Sequence, residues 1–248
     1  MGLDETVAAI KAHAPTAQMT VLKERMPKPI NTEFDALVFA TTGTDNWQQP
    51  EAEMIMVSFS GPPGAPRAID IHRVQHFGEG RQPLLGAVVN AVKRKYGEPN
   101  EEHSGLATNR IMTWRTSATG QPVPSQVMSG GLCTLASDTG SQRALMSLKT
   151  LLESHRRTVG GNSRPGPTSG AQDPRCGYSL AAFVNSAQDR AKPDTYFVNA
   201  VAVRLTDLAT LAKDHKEIVS LQNGTHEIHK RAAAEAEQKA ATRPAPKF

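Results

Sequence analysis

His72 and His76, the pair His226 and His229, and the cysteines Cys133 and Cys176 are the side chains whose type and spacing invite chemistry. The flanking run Arg67–Phe77 is rich in β-formers, and on a strand residues four apart lie about 13 Å from each other. That is too far for one metal ion, so His72 and His76 read as surface or edge histidines. His226 and His229 would share a helix face. Their motif, however, is His226-Glu227-Ile228-His229 rather than the His-Glu-x-x-His of zinc proteases, and two ligands do not complete a site. No metal-ligand set is assigned.

The cysteines flank a Gly/Pro/Ser-rich stretch, Val159 to Gly177. A bridge between Cys133 and Cys176 would remove about 4 kcal/mol of chain entropy from the unfolded state. A structural disulfide is the favoured reading, and it implies an oxidising compartment. Two buried free thiols in a cytosolic protein are the alternative. Cys176-Gly177-Tyr178-Ser179 is not a papain-like nucleophile signature, and no Gly-x-Ser-x-Gly elbow occurs. Neither a Gly-x-Gly-x-x-Gly nor a Walker A loop is present, so no nucleotide cofactor is expected. Gly160-Gly161 follows no strand and reads as flexibility. Glu101-Glu102 and Glu51/Glu53 read as ordinary solvated charges, and Trp47 and Trp114 as core or rim residues. No catalytic residue is assigned.

The elements that would carry these residues can be read from periodicity and punctuation. Residues 67–99 are the clearest case. Ile69, Ile71, Arg73, Gln75 and Phe77 fall on one face of a strand, and Ala68, Asp70, His72, Val74 and His76 on the other. Gly78-Glu79-Gly80 breaks it. Pro83 suits a first helical turn, Leu85, Val88, Val89, Val92 and Tyr96 recur at helical spacing, and Lys93, Arg94 and Lys95 favour the negative end of the helix. Gly97 and Pro99 end it.

Before this unit, residues 4–13 predict a short helix with Val7 and Ile10 on its apolar side. Strands follow at Gln18–Arg25, Phe34–Thr41 and Glu53–Ser60, parted by turn-forming residues. After it come a strand Arg110–Thr116, a loop 117–131, an amphipathic helix Ser141–Arg157 and the mobile loop 159–177. Strands Tyr178–Asn185 and Tyr196–Leu205 precede a helix Thr206–Gln222. Thr206 or Asp207 caps that helix, Leu208, Leu211, His215, Ile218 and Val219 form its stripe, and Asn223-Gly224 stops it.

Short connections between consecutive strands imply an antiparallel meander. The expected class is α+β: antiparallel sheet covered on one face by amphipathic helices, with long Gly/Pro/Ser loops. Residues 1–116 form a helix-plus-meander unit. Residues 117–224 form a second unit or extend the same sheet, and 225–248 are a polar helical tail fraying into disorder.

Composition narrows the partners. A net charge of +4 over 248 residues is small and dispersed, and aromatics are 5% of the chain. Nucleic-acid binders concentrate basic charge and stacking rings, so nucleic acid is not favoured. No run approaches the roughly 18 apolar residues needed to span a bilayer. The chain starts Met1-Gly2-Leu3-Asp4-Glu5, already within a helical pattern and without a signal-peptide profile. It therefore reads as a mature exported protein, with a cytosolic start as the alternative.

Two segments carry a family likeness. Gly2-Leu3-Asp4-Glu5-Thr6-Val7-Ala8-Ala9-Ile10-Lys11 resembles the helix that opens many periplasmic domains, among them the BamE (SmpA/OmlA) lipoproteins and relatives of the β-lactamase-inhibitor-protein fold. Arg73–Phe77 followed by Leu84–Pro99, ending Lys95-Tyr96-Gly97-Glu98-Pro99, is similar to the helix ending of such proteins. Leu3-Asp4 stands where those proteins have Met-Ser, and no lipobox cysteine is present. The resemblance implies a periplasmic or extracellular α+β domain that works by binding another protein in the cell envelope, and it transfers no site residue. A hydrolase or metal-dependent enzyme whose residues meet only in three dimensions is the second reading. A cytosolic scaffold or nucleic-acid accessory protein using the basic tail is the third.

Overall fold

The computed structural model describes residues 1–25, 31–43, 52–62, 64–104, 109–123, 175–189 and 195–241. The chain is α+β, with eight strands in one antiparallel sheet and three helices among these residues. In chain order they are α1 (Leu3–His13), β1 (Gln18–Arg25), β2 (Glu33–Thr41), β3 (Glu53–Phe59), β4 (Ala68–His76), α2 (Leu85–Tyr96), β5 (Glu101–Ser104), β6 (Arg110–Ser117), β7 (Cys176–Gln188), β8 (Tyr196–Asp207) and α3 (Leu208–Ala241). The expected helix at 141–157 and almost all of the loop 159–177 lie outside the described residues.

The sheet order is β1-β2-β3-β4-β8-β7-β6-β5. Each half is a helix followed by a four-strand meander, and the halves meet where their last strands pair, with Arg73 opposite Val203. This palindromic order relates the two runs by an approximate two-fold axis through the β4–β8 pair. Residues 1–116 contribute six strands and residues 117–224 the remaining two, all to the same sheet.

Alternation along the strands divides the core. On one face Ile10 of α1, with Leu3 and Val7 beside it, packs on Val38, Ala40, Ile55, Val57 and Phe59. On the same face, by register, Leu85, Val88, Val89, Val92 and Tyr96 of α2 meet Met112, Ala182, Val184 and Val198. The helical stripe read from sequence is thus the packed one. Leu37, Phe39, Met54, Met56, Val74, Phe183 and Ala202 cluster on the opposite face, and α3 lies against β7 and β4.

Local chemistry explains the ends. The Gly2 N–H donates to Glu5 Oε2 at 2.9 Å, and Thr6 Oγ1 donates to the Gly2 carbonyl at 2.7 Å, which closes the first turn of α1. Gly97 takes φ 84 after α2 and donates its N–H to the Lys93 carbonyl at 2.8 Å. Asp207 caps α3, accepting from the Thr210 N–H at 2.9 Å and from the Thr210 hydroxyl at 2.8 Å.

Two expectations are corrected and one strand is added. Asn223-Gly224 does not stop the last helix, which runs to Ala241. One glycine costs only about 1 kcal/mol against alanine, and the following Ala/Glu/Lys/Arg run favours helix strongly enough to carry it. Cys176 and Gly177 belong to β7, not to a loop. A Cβ on Gly177 would collide with the Ser117 carbonyl and Thr116 Oγ1, so only glycine fits this close approach of β7 to β6. Glu101–Ser104 form an edge strand that polar composition concealed.

Candidate functional site

Register assembles the polar residues on the face bearing the Leu37–Phe183 cluster. One row across the sheet runs Ser58, Asp70, Thr206, Ser179, Arg115. The next runs Met56, His72, Arg204, Ala181, Thr113, Glu101. Ser58, Asp70, His72, Thr113, Arg115, Ser179 and Thr206 are all buried. Unpaired, such groups would each cost several kcal/mol, so each needs a partner.

Asp70 is the centre of the group. Its Oδ1 accepts from Arg204 Nε at 2.8 Å and from Thr206 Oγ1 at 2.6 Å. Burial raises the acid's pKa, but the Arg204 charge and the two hydrogen bonds outweigh it and hold Asp70 below the usual carboxylate range. His72 behaves oppositely. Burial disfavours its cation, Arg204 adds to that, and the opposing pull of Asp70 is too weak, so its pKa falls to about 4. The imidazole is therefore neutral at pH 7. Burial likewise lowers His76.

A second ion pair lies in the Arg115–Glu101 strand pair. Arg115 Nη1 donates to Glu101 Oε2 at 2.9 Å, and His103 Nε2 bonds Glu101 Oε1. Burial raises the Glu101 pKa, yet these partners bring it below the ordinary value. On α3, burial and then repulsion from Glu217 raise Asp214.

On the helix-bearing face, His13 Nε2 lies 2.9 Å from Glu53 Oε1, and Arg73 Nε donates to the same oxygen. Farther along that face Tyr178 is 52% exposed and Leu205 is 37% exposed. Leu205 lies opposite Ile71 on one side and Leu180 on the other. Leu180 in turn pairs with Trp114, so four apolar residues form a continuous row with Tyr178 at its edge.

Three sequence assignments are overturned: those of His72, of Glu101, and of Glu53, whose side chain is only 15% exposed and is bonded to both His13 and Arg73 rather than being an ordinary solvated charge. His72 is not a surface or edge residue; β4 is the fourth of eight strands, and its Asp70–His72–Val74 side is buried. Glu101 is not an ordinary solvated charge, because β6 brings Arg115 beside it; Glu102 bonds Lys93 at 2.8 Å. His72 and His76 stay four residues apart on one strand, and among the described residues no group of three or more His, Cys, Asp or Glu could hold a metal. His226 and His229 fall in α3, with side chains outside the described set. Trp114 is a rim residue that donates Nε1–H to the Gly97 carbonyl at 3.1 Å. Cys176 is fully buried beside Leu208 and Val123. Its expected partner Cys133, Trp47 and Gly160-Gly161 lie outside the described residues.

Ser58, Asp70 and His72 are neighbouring residues of the types used in nucleophilic triads. Asp70 Oδ1 is directed at Arg204 and Thr206, however, and all three residues are buried, which argues for a structural role. Sequence reasoning missed Arg204 and Thr206, which lie more than a hundred residues from Asp70. An acid within a β-branched run was the available signal that a cation had to meet it. Compared with protein-family models, curated proteins and solved structures, the chain matches none.

Proposed function

We propose that this protein is an exported, non-enzymatic binding module of the cell envelope that receives another protein on its helix-bearing sheet face. The exposed Tyr178 and Leu205, continuous with Ile71, Leu180 and Trp114, carry this reading. Interfaces centre on aromatic and aliphatic anchors of this kind, with a polar rim. Arg73, Gln75 and the Glu53–His13 pair supply that rim here. The helices α1 and α2 shield the rest of this face on either side. Envelope localisation rests on the likeness of residues 2–11 and 84–99 to periplasmic lipoproteins, together with a Cys133–Cys176 disulfide. Among the described residues no helix is long and apolar enough to cross a membrane.

A photo-crosslinking residue at position 178, exposed to envelope extract, tests the binding reading. A discrete adduct is expected there, absent when Leu205→Asp is added and absent from the same probe at the exposed Asn90 of α2. Equal labelling at both positions would sink the proposal. Thiol titration of the denatured, unreduced protein tests the bridge: no reactive thiol is expected, and two would remove it.

A further inference from the structure

The β4–β8 pair joins the two meanders, and its buried side concentrates charge. Asp70 is one carboxylate with a permanent cation, Arg204, on Oδ1 and a hydroxyl, Thr206, on the same oxygen. His72 sits two residues along β4 on the same side, directly opposite Arg204. The other strands offer it nothing charged: Met56 faces it from β3, and Ala181 lies beyond Arg204 on β7. Asp207, the last residue of β8, is engaged with Thr210 as the helix cap, and on α3 Asp214 lies close to Ser60 with Glu217 and Lys213 acting on it, while Lys216 and Glu227 are exposed farther along. A proton on His72 would thus place a second cation beside Arg204 with Asp70 as the near carboxylate.

We propose that the β4–β8 seam is an acid-operated latch, in which protonation of His72 sets two cations in competition for Asp70 and opens the contact between the two meanders. Opening exposes the imidazole to water and restores its ordinary basicity, so mild acid raises the share of the open form while the closed form still predominates. Neutral pH closes it, because a neutral imidazole leaves the Asp70–Arg204 pair undisturbed. The latch acts on the strands that carry Leu205 and Ile71, and it is independent of what binds there.

Native-state amide exchange at pH 7 and pH 5, corrected for intrinsic rates, tests this. Taking His72 at about 4 when closed and at about 6.5 when open, the opening constant for amides of 70–76 and 200–206 rises about 20-fold at pH 5. Its denaturant dependence is expected to be shallower than that of global unfolding. His72→Gln removes the 20-fold rise and leaves only the smaller response of His76, which burial also lowers on the same strand. Arg204→Gln narrows it, because the competing cation is gone. A 20-fold response that persists in His72→Gln, or seam amides that exchange only with the full denaturant dependence of global unfolding, would overturn the latch. Wild-type imidazole NMR needs no variant: His72 should stay neutral at pH 5.5, and titration near 6.5 in the closed protein would also overturn it.

Discussion

The run α1–β4 and the run α2–β8 each set a helix against the same face of one sheet, yet they anchor the C-terminal ends of those helices by different chemistry. α1 ends at His13, which meets Glu53, and Arg73 completes a three-residue polar cluster. α2 ends at Tyr96, whose ring centre lies 5.8 Å from that of Trp114, with the indole N–H on the Gly97 carbonyl. Lys95 stands over the Tyr96 ring at 5.1 Å. Half-exposed ion pairs contribute little because water screens them, whereas packed rings bring buried area as well as a hydrogen bond. The second half therefore holds its helix more firmly while leaving apolar surface, Tyr178 and Leu205, in solvent. The same topology yields a polar closure in one half and an apolar surface suited to binding in the other.

This contrast can be probed by perturbations of decreasing size. Removing large side chains beneath the helices should hurt both halves alike: Phe59→Ala under α1 costs about 3–5 kcal/mol and Met112→Ala under α2 about 2–5. The midpoint of urea unfolding at unchanged slope measures both. A much smaller loss in one half would show that its helix is not docked as described. Acid should come next. Between pH 6.5 and about 4 the unfolded chain binds a proton on His72 that the folded chain refuses, so stability falls as pH falls through that window. The loss approaches about 3 kcal/mol at its lower end. Asp70, whose folded pKa is lowered, adds a further loss only at still lower pH, as it is protonated. Denaturant midpoints across pH 4–7 for wild type and His72→Gln would separate the histidine contribution.

Gly177→Ala should cost about 1–3 kcal/mol through its collision with Ser117, and thermal unfolding reads the loss. The smallest pair decides the comparison itself. Trp114→Phe loses the Gly97 hydrogen bond, for about 1 kcal/mol. Glu53→Gln weakens pairs with His13 and Arg73, both more than a third exposed, and should cost less than about 1 kcal/mol. If Glu53→Gln proves costlier than Trp114→Phe, the polar cluster is the stronger clasp and the contrast is inverted.

Elements were legible wherever a local pattern carried them. The strands beginning at Gln18 and Glu53, the helix that packs Leu85, Val88, Val89, Val92 and Tyr96, and its Gly97 terminus follow from alternation, period and caps. Glu101–Ser104 escaped because a polar four-residue edge strand has no hydrophobic period and exists by pairing with β6. The helical tail after Gly224 was legible from its Ala/Glu/Lys/Arg composition, but its continuity with the preceding helix was not, because Asn223-Gly224 reads as a stop and one glycine costs too little to make it one. The polar cluster was partly visible, since alternation already placed Asp70 and His72 on one face. Whether that face was wet or buried depended on how many strands flanked it.

By itself, then, the sequence determined an α+β chain of short-linked antiparallel strands, with aliphatic stripes ready to dock on a sheet. These follow from interactions within a few residues, where side-chain period and backbone preference act directly. Tertiary structure decided that β4 would pair with β8 and so form the middle of one eight-stranded sheet. That pairing, across more than a hundred residues, turned Asp70 and His72 into a buried charge cluster with Arg204. No local preference encodes it, because burial and ion partners are properties of the closed sheet rather than of the strand.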